Sequence, residues 1–306
     1  MKVVLVGEES AGLQVLRALA ESKHELVAVL AAPPGIGTGH FNLWNVASSS
    51  GYETWPAEQV KKPELADHLR ERDVDILLNV HSLHIVHRDV LAAPKLGAFN
   101  LHPALLPRYA GLHAVSWALF HGETVHGVTV HKMEADVDAG PIVFQSQFPI
   151  DPDETALSLS FKCVREGVGL ILRLLDLAET KGTIPLSPQD PAKREVFGRE
   201  VPEQGRINWS WPATKVINFI RACDYLPFTS PWGHPKAARG AQEFALVKAS
   251  LTGLACDAEP GKVGESSSSG VHVACQDEWI LASKLRVNER FVPATAFLSS
   301  GDCLAG

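Results

Sequence analysis

The chain has 306 residues, 45% of them apolar and 21% charged, with a formal net charge of −7. That length and mixture fit a globular protein of two domains and exclude a disordered or fibrous chain. The acidic balance argues against a partner held by its phosphate backbone, and no run approaches the roughly 18 apolar residues of a membrane span.

The five cysteines, Cys163, Cys223, Cys256, Cys275 and Cys303, form no C-x-x-C pair. They read as free thiols of a reducing compartment. Met1–Glu9 is apolar too briefly for a secretory leader. The expectation is a cytoplasmic protein, with no sequence signal for an oligomeric state.

Val3–Val6 is a buried-strand pattern that stops at Gly7. Leu13, Val15, Leu16, Leu19 and Ala20 then recur at helical spacing, and Leu26–Leu30 is the next strand. This β-α-β opening predicts a parallel sheet with right-handed crossovers. The turn between Gly7 and Gly12 is not G-x-G-x-x-G, and Glu8 and Glu9 would repel a pyrophosphate. Ala32–His40 reads as a loop without Lys or Arg. Asp75–Val80 is a central strand, and His81–Val86 follows at its carboxyl end, where open α/β sheets bind ligands.

Gly97–Leu101 is the next strand, and a helix follows around Val115–Phe120. Gly127–Met133 and Gly140–Gln147 suggest an antiparallel pair added to the parallel sheet. Thr155–Glu179 is the longest helical pattern. Residues 181–205 are rich in proline and charge and read as a surface linker. The expected layout is a first domain over 1–180, this linker, and a second domain over 206–306. That second domain holds one helix, Ala213–Cys223, and short strands at Phe244–Val247, Gly270–Cys275, Glu278–Leu281 and Leu285–Val287. Such strands suggest a small β-barrel, with Ser266–Ser269 as a loop tip.

Two stretches carry chemistry. In Phe99-Asn100-Leu101-His102-Pro103-Ala104-Leu105-Leu106-Pro107, Asn100 and His102 stand two apart and face one side of an extended strand. In Asp136-Val137-Asp138-Ala139-Gly140-Pro141, Asp138 could supply a carboxylate to orient the imidazole. An amide donor can stabilise charge on a carbonyl oxygen, and an imidazole can move a proton near neutral pH.

These stretches resemble the folate-dependent formyltransferases, whose pattern is Asn-x-His-x-Ser-Leu-Leu-Pro followed by Asp-x-Gly. The group includes the methionyl-tRNA, glycinamide ribonucleotide, sugar and amino-acid formyltransferases. Ile207-Asn208-Trp209-Ser210 and Ile220-Arg221-Ala222 are similar to the start of the C-terminal barrel domain in the tRNA and sugar enzymes. The resemblance implies a Rossmann-like, mostly parallel N-terminal domain and a smaller, OB-like C-terminal barrel. It implies transfer of a formyl group from 10-formyltetrahydrofolate to an amine, without a metal, with Asn100, His102 and Asp138 as catalytic residues. It places the pterin against Leu83, His84, Ile85 and Val86, with the loop carrying Glu134 and Asp136 closing over it. His81, His84 and His87 have a spacing that invites a metal, but no carboxylate or thiol completes a ligand set.

Two departures stand out. Ala104 replaces the usual Ser, and Leu112–Trp117 is not the Arg-rich continuation of some members. Gly111, His113, Trp117 and Arg221 are the expected acceptor contacts. The Lys/Arg-free loop 32–40 and the near balance of charge from Arg206 onward disfavour tRNA. The expected acceptor is a small-molecule amine, such as an amino sugar nucleotide or a specialised amino acid. The alternatives are a methionyl-tRNA formyltransferase, a formyltetrahydrofolate hydrolase and a catalytically silent folate-binding protein.

Overall fold

The computed structural model describes residues 1–35 and 42–306. The part of the expected loop 32–40 beyond Gly35 lies outside the described residues. In chain order the first elements are β1 (Lys2–Gly7), α1 (Glu9–Ala20), β2 (Glu25–Ala31), α2 (Leu43–Ser49), β3 (Thr54–Pro56) and α3 (Leu65–Glu71). Then come β4 (Ile76–Val80), α4 (Arg88–Leu91), β5 (Gly97–His102), β6 (Ala110–Gly111), α5 (Ala114–His121), β7 (Val125–Lys132), β8 (Ile142–Pro149) and α6 (Ala156–Lys181). The chain forms two compact units that interleave in sequence. One comprises 1–112, 125–148 and 161–196; the other comprises 113–124, 149–160 and 197–306.

The first unit is built on a sheet of order β3-β2-β1-β4-β5-β7-β8. β3, β2, β1, β4 and β5 run parallel, and β7 is antiparallel to β5. β1, β4 and β5 are buried almost throughout, as expected of strands covered on both faces. The strand order reverses direction at β1, between β2 and β4. A switch of this kind opens a crevice at the carboxyl ends of the strands. Three buried residues in β4 and β5 break the apolar pattern, and all belong to the site below: Asn79, Asn100 and His102. β3 is short and carries no pattern of its own; it forms by pairing with β2 from Thr54 to Pro56.

The second unit adds β9 (Val196–Phe197) at its boundary, α7 (Ala213–Ala222), β10 (Lys236–Arg239), β11 (Gln242–Ala255) and β12 (Val263–Ser267). β13 (Gly270–Ala274), β14 (Glu278–Val287), β15 (Arg290–Pro293) and β16 (Leu304–Ala305) complete it. Its antiparallel sheet has the order β12-β13-β14-β11-β10-β16. Val263 N donates to Asp302 O and Leu304 N donates to Gly261 O. These bonds tie the ends of that order together, so the sheet is curled. α7 lays Ala213, Val216, Ile217 and Ile220 on a core with Phe244, Leu246, Val271 and Ile280.

Two strands are longer than their apolar patterns. β11 runs to Ala255, and β14 is continuous where two short runs were expected. The outer half of β11 is largely exposed. It is held extended by pairing with β14, from Ala245 opposite Arg286 to Ala255 opposite Glu278. Ser266 and Ser267 lie in β12, so only Ser268 and Ser269 form the turn.

Gly140 ends the loop between β7 and β8. A Cβ there would run into the carbonyl of Lys132, whose own N–H donates to Pro141 O. Backbone blocks that space, so a Gly140→Ala variant is expected to lose about 1–3 kcal/mol of unfolding free energy. Chemical denaturation measures this; stability equal to the parent's would mean that the loop is not clamped to β7.

Candidate active site

At the carboxyl end of β5, Asn100 and His102 point to one side of the strand. The Asp138 carboxylate meets both. Asn100 Nδ2 donates to Asp138 Oδ1 at 3.2 Å, and His102 Nδ1 lies 3.3 Å from Asp138 Oδ2. A third group, unremarked in the sequence, completes the ring. His131 Nε2 lies 3.2 Å from Asp138 Oδ1 and 3.1 Å from Asn100 Nδ2. Gly111 N donates to Asp138 Oδ2 at 2.8 Å. The Asp138 side chain is only 8% exposed. Burial raises its affinity for a proton, but the charges of His102 and His131 and the Gly111 bond outweigh burial. The carboxyl is held well below the ordinary range and is ionised.

The imidazoles are fixed from behind. His102 Nε2 donates to Tyr109 O at 2.7 Å, and His131 Nδ1 donates to Lys132 O at 3.0 Å. His102 therefore faces an acceptor with each nitrogen, a carbonyl on one side and a carboxylate on the other. Tyr109 has φ +58°. That conformation costs a bulky residue of order 1–3 kcal/mol, and it turns the carbonyl onto His102.

Side chains of β7 and β8 hold the Pro103–Pro107 loop. His126 Nε2 donates to Pro103 O. Thr129 Oγ1 donates to Ala104 O at 2.6 Å and accepts from Leu106 N at 3.2 Å. Gln145 Nε2 donates to Leu106 O at 2.8 Å. Ala104 is fully buried, and its loop is shaped by these bonds rather than by a hydroxyl of its own.

The model of the formyl transferase family matches residues 1–175, and that of the formyl transferase C-terminal domain matches residues 201–301. This chain belongs to the formyl transferase family. Among solved structures, the N-formyltransferase from Helicobacter canadensis, in complex with folinic acid and dTDP-3-aminofucose, is 19% identical with a TM-score of 0.69. That match covers 92% of this chain and 98% of the other. WlaRD, a sugar 3N-formyl transferase solved in the presence of dTDP and 5-N-formyl-THF, is 18% identical with a TM-score of 0.70, covering 92% and 97%. HypX from Aquifex aeolicus, in complex with tetrahydrofolic acid, is 18% identical with a TM-score of 0.66. The match covers 98% of this chain but 47% of HypX, so the chain spans about half of that protein. At these identities the likeness is one of fold.

In this formyltransferase the segment after β4 leaves Leu83 72% and Ile85 64% exposed. His84 is half-buried beside them, 3.9 Å from Glu8. Val86 turns the other way, into the core with Val60 and Val90. Glu134 and Asp136 are exposed on the loop after β7. That loop is strapped down: Gln189 Nε2 donates to Asp138 O and Gly140 O, and Arg194 Nη2 donates to Val137 O. Nothing in the composition of 181–205 marks Gln189 and Arg194 as partners of this loop.

Of the expected acceptor contacts, Gly111 is the one bonded to the cluster. His113, Trp117 and Arg221 lie in the second unit. There Trp117 stacks on Phe197 at 4.6 Å and meets the edge of Trp232 at 4.8 Å. Arg221 is tied to Asp151 O, Pro152 O and Asn218 Oδ1. No helix among the described residues is long and apolar enough to cross a membrane.

Burial pushes the His81 imidazole down to about 4, and the neighbouring His102 charge adds to this. The unfolded chain titrates His81 near 6.5. Between these values only the unfolded state takes the proton, so stability falls as the pH drops through that window. The Asp138 contribution is full above the ordinary carboxylate range and is lost only as the pH falls through that range and below it. The denaturation midpoint is expected to decline from pH 7 to pH 4.5, and less steeply in His81→Asn. Asn is chosen because it tolerates the φ of +58° found here. An equal slope in both proteins would assign the decline to other groups.

Proposed function

We propose that the protein transfers a formyl group from 10-formyltetrahydrofolate to the amine of a small molecule. The observation that carries this reading is the meeting of Asn100, His102 and an ionised Asp138 in one hydrogen-bonded cluster at the strand ends. The exposed apolar side chains of Leu83 and Ile85 beside His84 suit a flat, partly apolar ring such as a pterin. When bound, that donor supplies a carbonyl carbon that an amine can attack.

Each residue then has a task. Asn100 turns one N–H from its present partners to the formyl oxygen, where negative charge grows; such a donor is typically worth roughly 3–4 kcal/mol. His102 gives up one of its two present acceptors to donate to the same oxygen or to relay a proton to the leaving nitrogen. Asp138 orients His102 and, through water, accepts the proton that the attacking amine loses. Its depressed pKa keeps it ionised and ready to orient an imidazolium, at the cost of weak intrinsic basicity. Tyr109 O and Lys132 O prevent the two imidazoles from rotating.

The small-molecule acceptor is supported by charge. From Arg206 onward basic and acidic residues nearly balance, which leaves little for an RNA backbone. Two structures of similar fold were solved with dTDP-3-aminofucose or with dTDP, in keeping with a nucleotide-linked amino sugar as the class to test first.

A panel of amino sugar nucleotides and amino acids, incubated with 10-formyltetrahydrofolate, is expected to yield tetrahydrofolate and one formylated product by mass. Release of formate without any amine product would overturn the transferase reading. Asn100→Ala and Asp138→Ala are each expected to lower turnover at least ~100-fold; near-parental turnover would remove that residue from the mechanism. Initiator tRNA is expected to bind weakly at physiological salt, and a tight, salt-sensitive complex would reverse the choice of acceptor.

A further inference from the structure

We propose that Asn79 is a positioning residue that sets which way round the Asn100 amide sits. The proposal rests on the reading of Asn100 as the donor to the formyl oxygen.

β4 is Ile-Leu-Leu-Asn-Val, buried at every position, and Asn79 is 5% exposed. An amide inside a central strand is costly unless it is hydrogen-bonded. Asn79 stands in register with Val6 on β1 and with Asn100 on β5, and Asn100 stands in register with His131 on β7. Neighbours in register present their side chains to the same face. Three adjacent strands thus contribute one polar row, Asn79–Asn100–His131, that leads to Asp138.

The row has a direction. Asn79 Nδ2 donates to Asn100 Oδ1 at 2.9 Å and reaches Ser82 O at 3.5 Å. Its own Oδ1 is buried without a partner, so the residue serves the row through its donor end. With Asn100 Oδ1 occupied in this way, Asn100 Nδ2 must face Asp138 and His131. The reversed amide would set oxygen against the Asp138 carboxylate and two NH2 groups against each other. Asp138 alone could impose the same polarity, but only while ionised. Once it takes the proton of the amine, its hold on the amide weakens. Asn79 does not titrate, so it keeps the Asn100 donors aimed into the site through that step.

The test uses the full chain and four variants. Asn79→Leu keeps the shape of the side chain and removes the donor. It is expected to lower kcat roughly 10–100-fold with KM for the amine changed less than about threefold. Asn79→Leu combined with Asn100→Ala is expected to be no slower than Asn100→Ala alone, because Asn79 acts through Asn100. Asn79→Asp donates only when protonated. Its activity relative to the parent is therefore expected to rise as the pH falls from 8 to 5.5. His81, His102, His131 and Asp138 are present in both proteins, and taking the ratio at each pH removes what they contribute in common. Turnover of Asn79→Leu within threefold of the parent, a further loss in the double variant, or a flat ratio would each overturn the proposal.

A readout independent of activity is the side-chain NH2 signal of Asn100 in protein labelled with 15N-asparagine, identified by its loss in Asn100→Ala. It is expected to shift in Asn79→Leu, and an unchanged signal would overturn the orienting role. A parent inactive on every amine would count against the formyl-transfer reading, while this signal would still decide the role of Asn79.

Discussion

The structure around the site depends on a carboxylate taken out of water. Asp138 is buried, and burial alone would neutralise it. It stays ionised because four donors reach it: the Gly111 amide, the Asn100 side chain and two imidazoles. Two donors come from β5, one from β7 and one from the Gly111 turn, so one charge holds these three pieces and the 134–141 loop in register. Losing any donor would expose an uncompensated buried charge, the costliest defect a protein interior can carry.

The sheet makes that convergence possible. Five parallel strands bring the ends of β4 and β5 to one edge of the crevice. β7 then enters antiparallel, with His131 opposite Asn100 and Thr129 opposite His102. One residue of slip would turn both side chains to the other face. His131 would then leave Asp138, and Thr129 would leave the Ala104 and Leu106 backbone. The same register therefore serves the electrostatics of the cluster and the shape of the loop beside it.

The parallel opening, the central strands and the long helix α6 were legible in the chain because buried strands and amphipathic helices leave periodic apolar patterns. So was the proximity of Asn100 to His102, which follows from the period of a strand. His131 and Asn79 were not legible. Both sit inside runs that read as ordinary strand, and their meaning lies in the neighbours they acquire across the sheet. The segment from Ser187 to Glu195 is a similar case: proline and charge give it the look of a linker, yet Gln189 and Arg194 bind backbone carbonyls of the Asp138 loop. Carbonyl groups leave no trace in a sequence. The outer half of β11 was hidden for the same reason, since its extension comes from β14 and not from its own residues.

By itself the sequence determined the chemistry at hand: an amide and an imidazole two residues apart, a carboxylate before a glycine, and the alternation of strands and helices that would carry them. Those features depend on local periodicity and on residue type, which are written along the chain. The tertiary structure decided the rest. It buried the Asp138 carboxylate that the sequence had named, added His131 as its second imidazole, turned Val86 into the core while leaving Leu83 and Ile85 exposed, and aligned Asn79 behind Asn100. Each of these outcomes depends on strand register and burial, and both are properties of contacts between residues far apart in sequence.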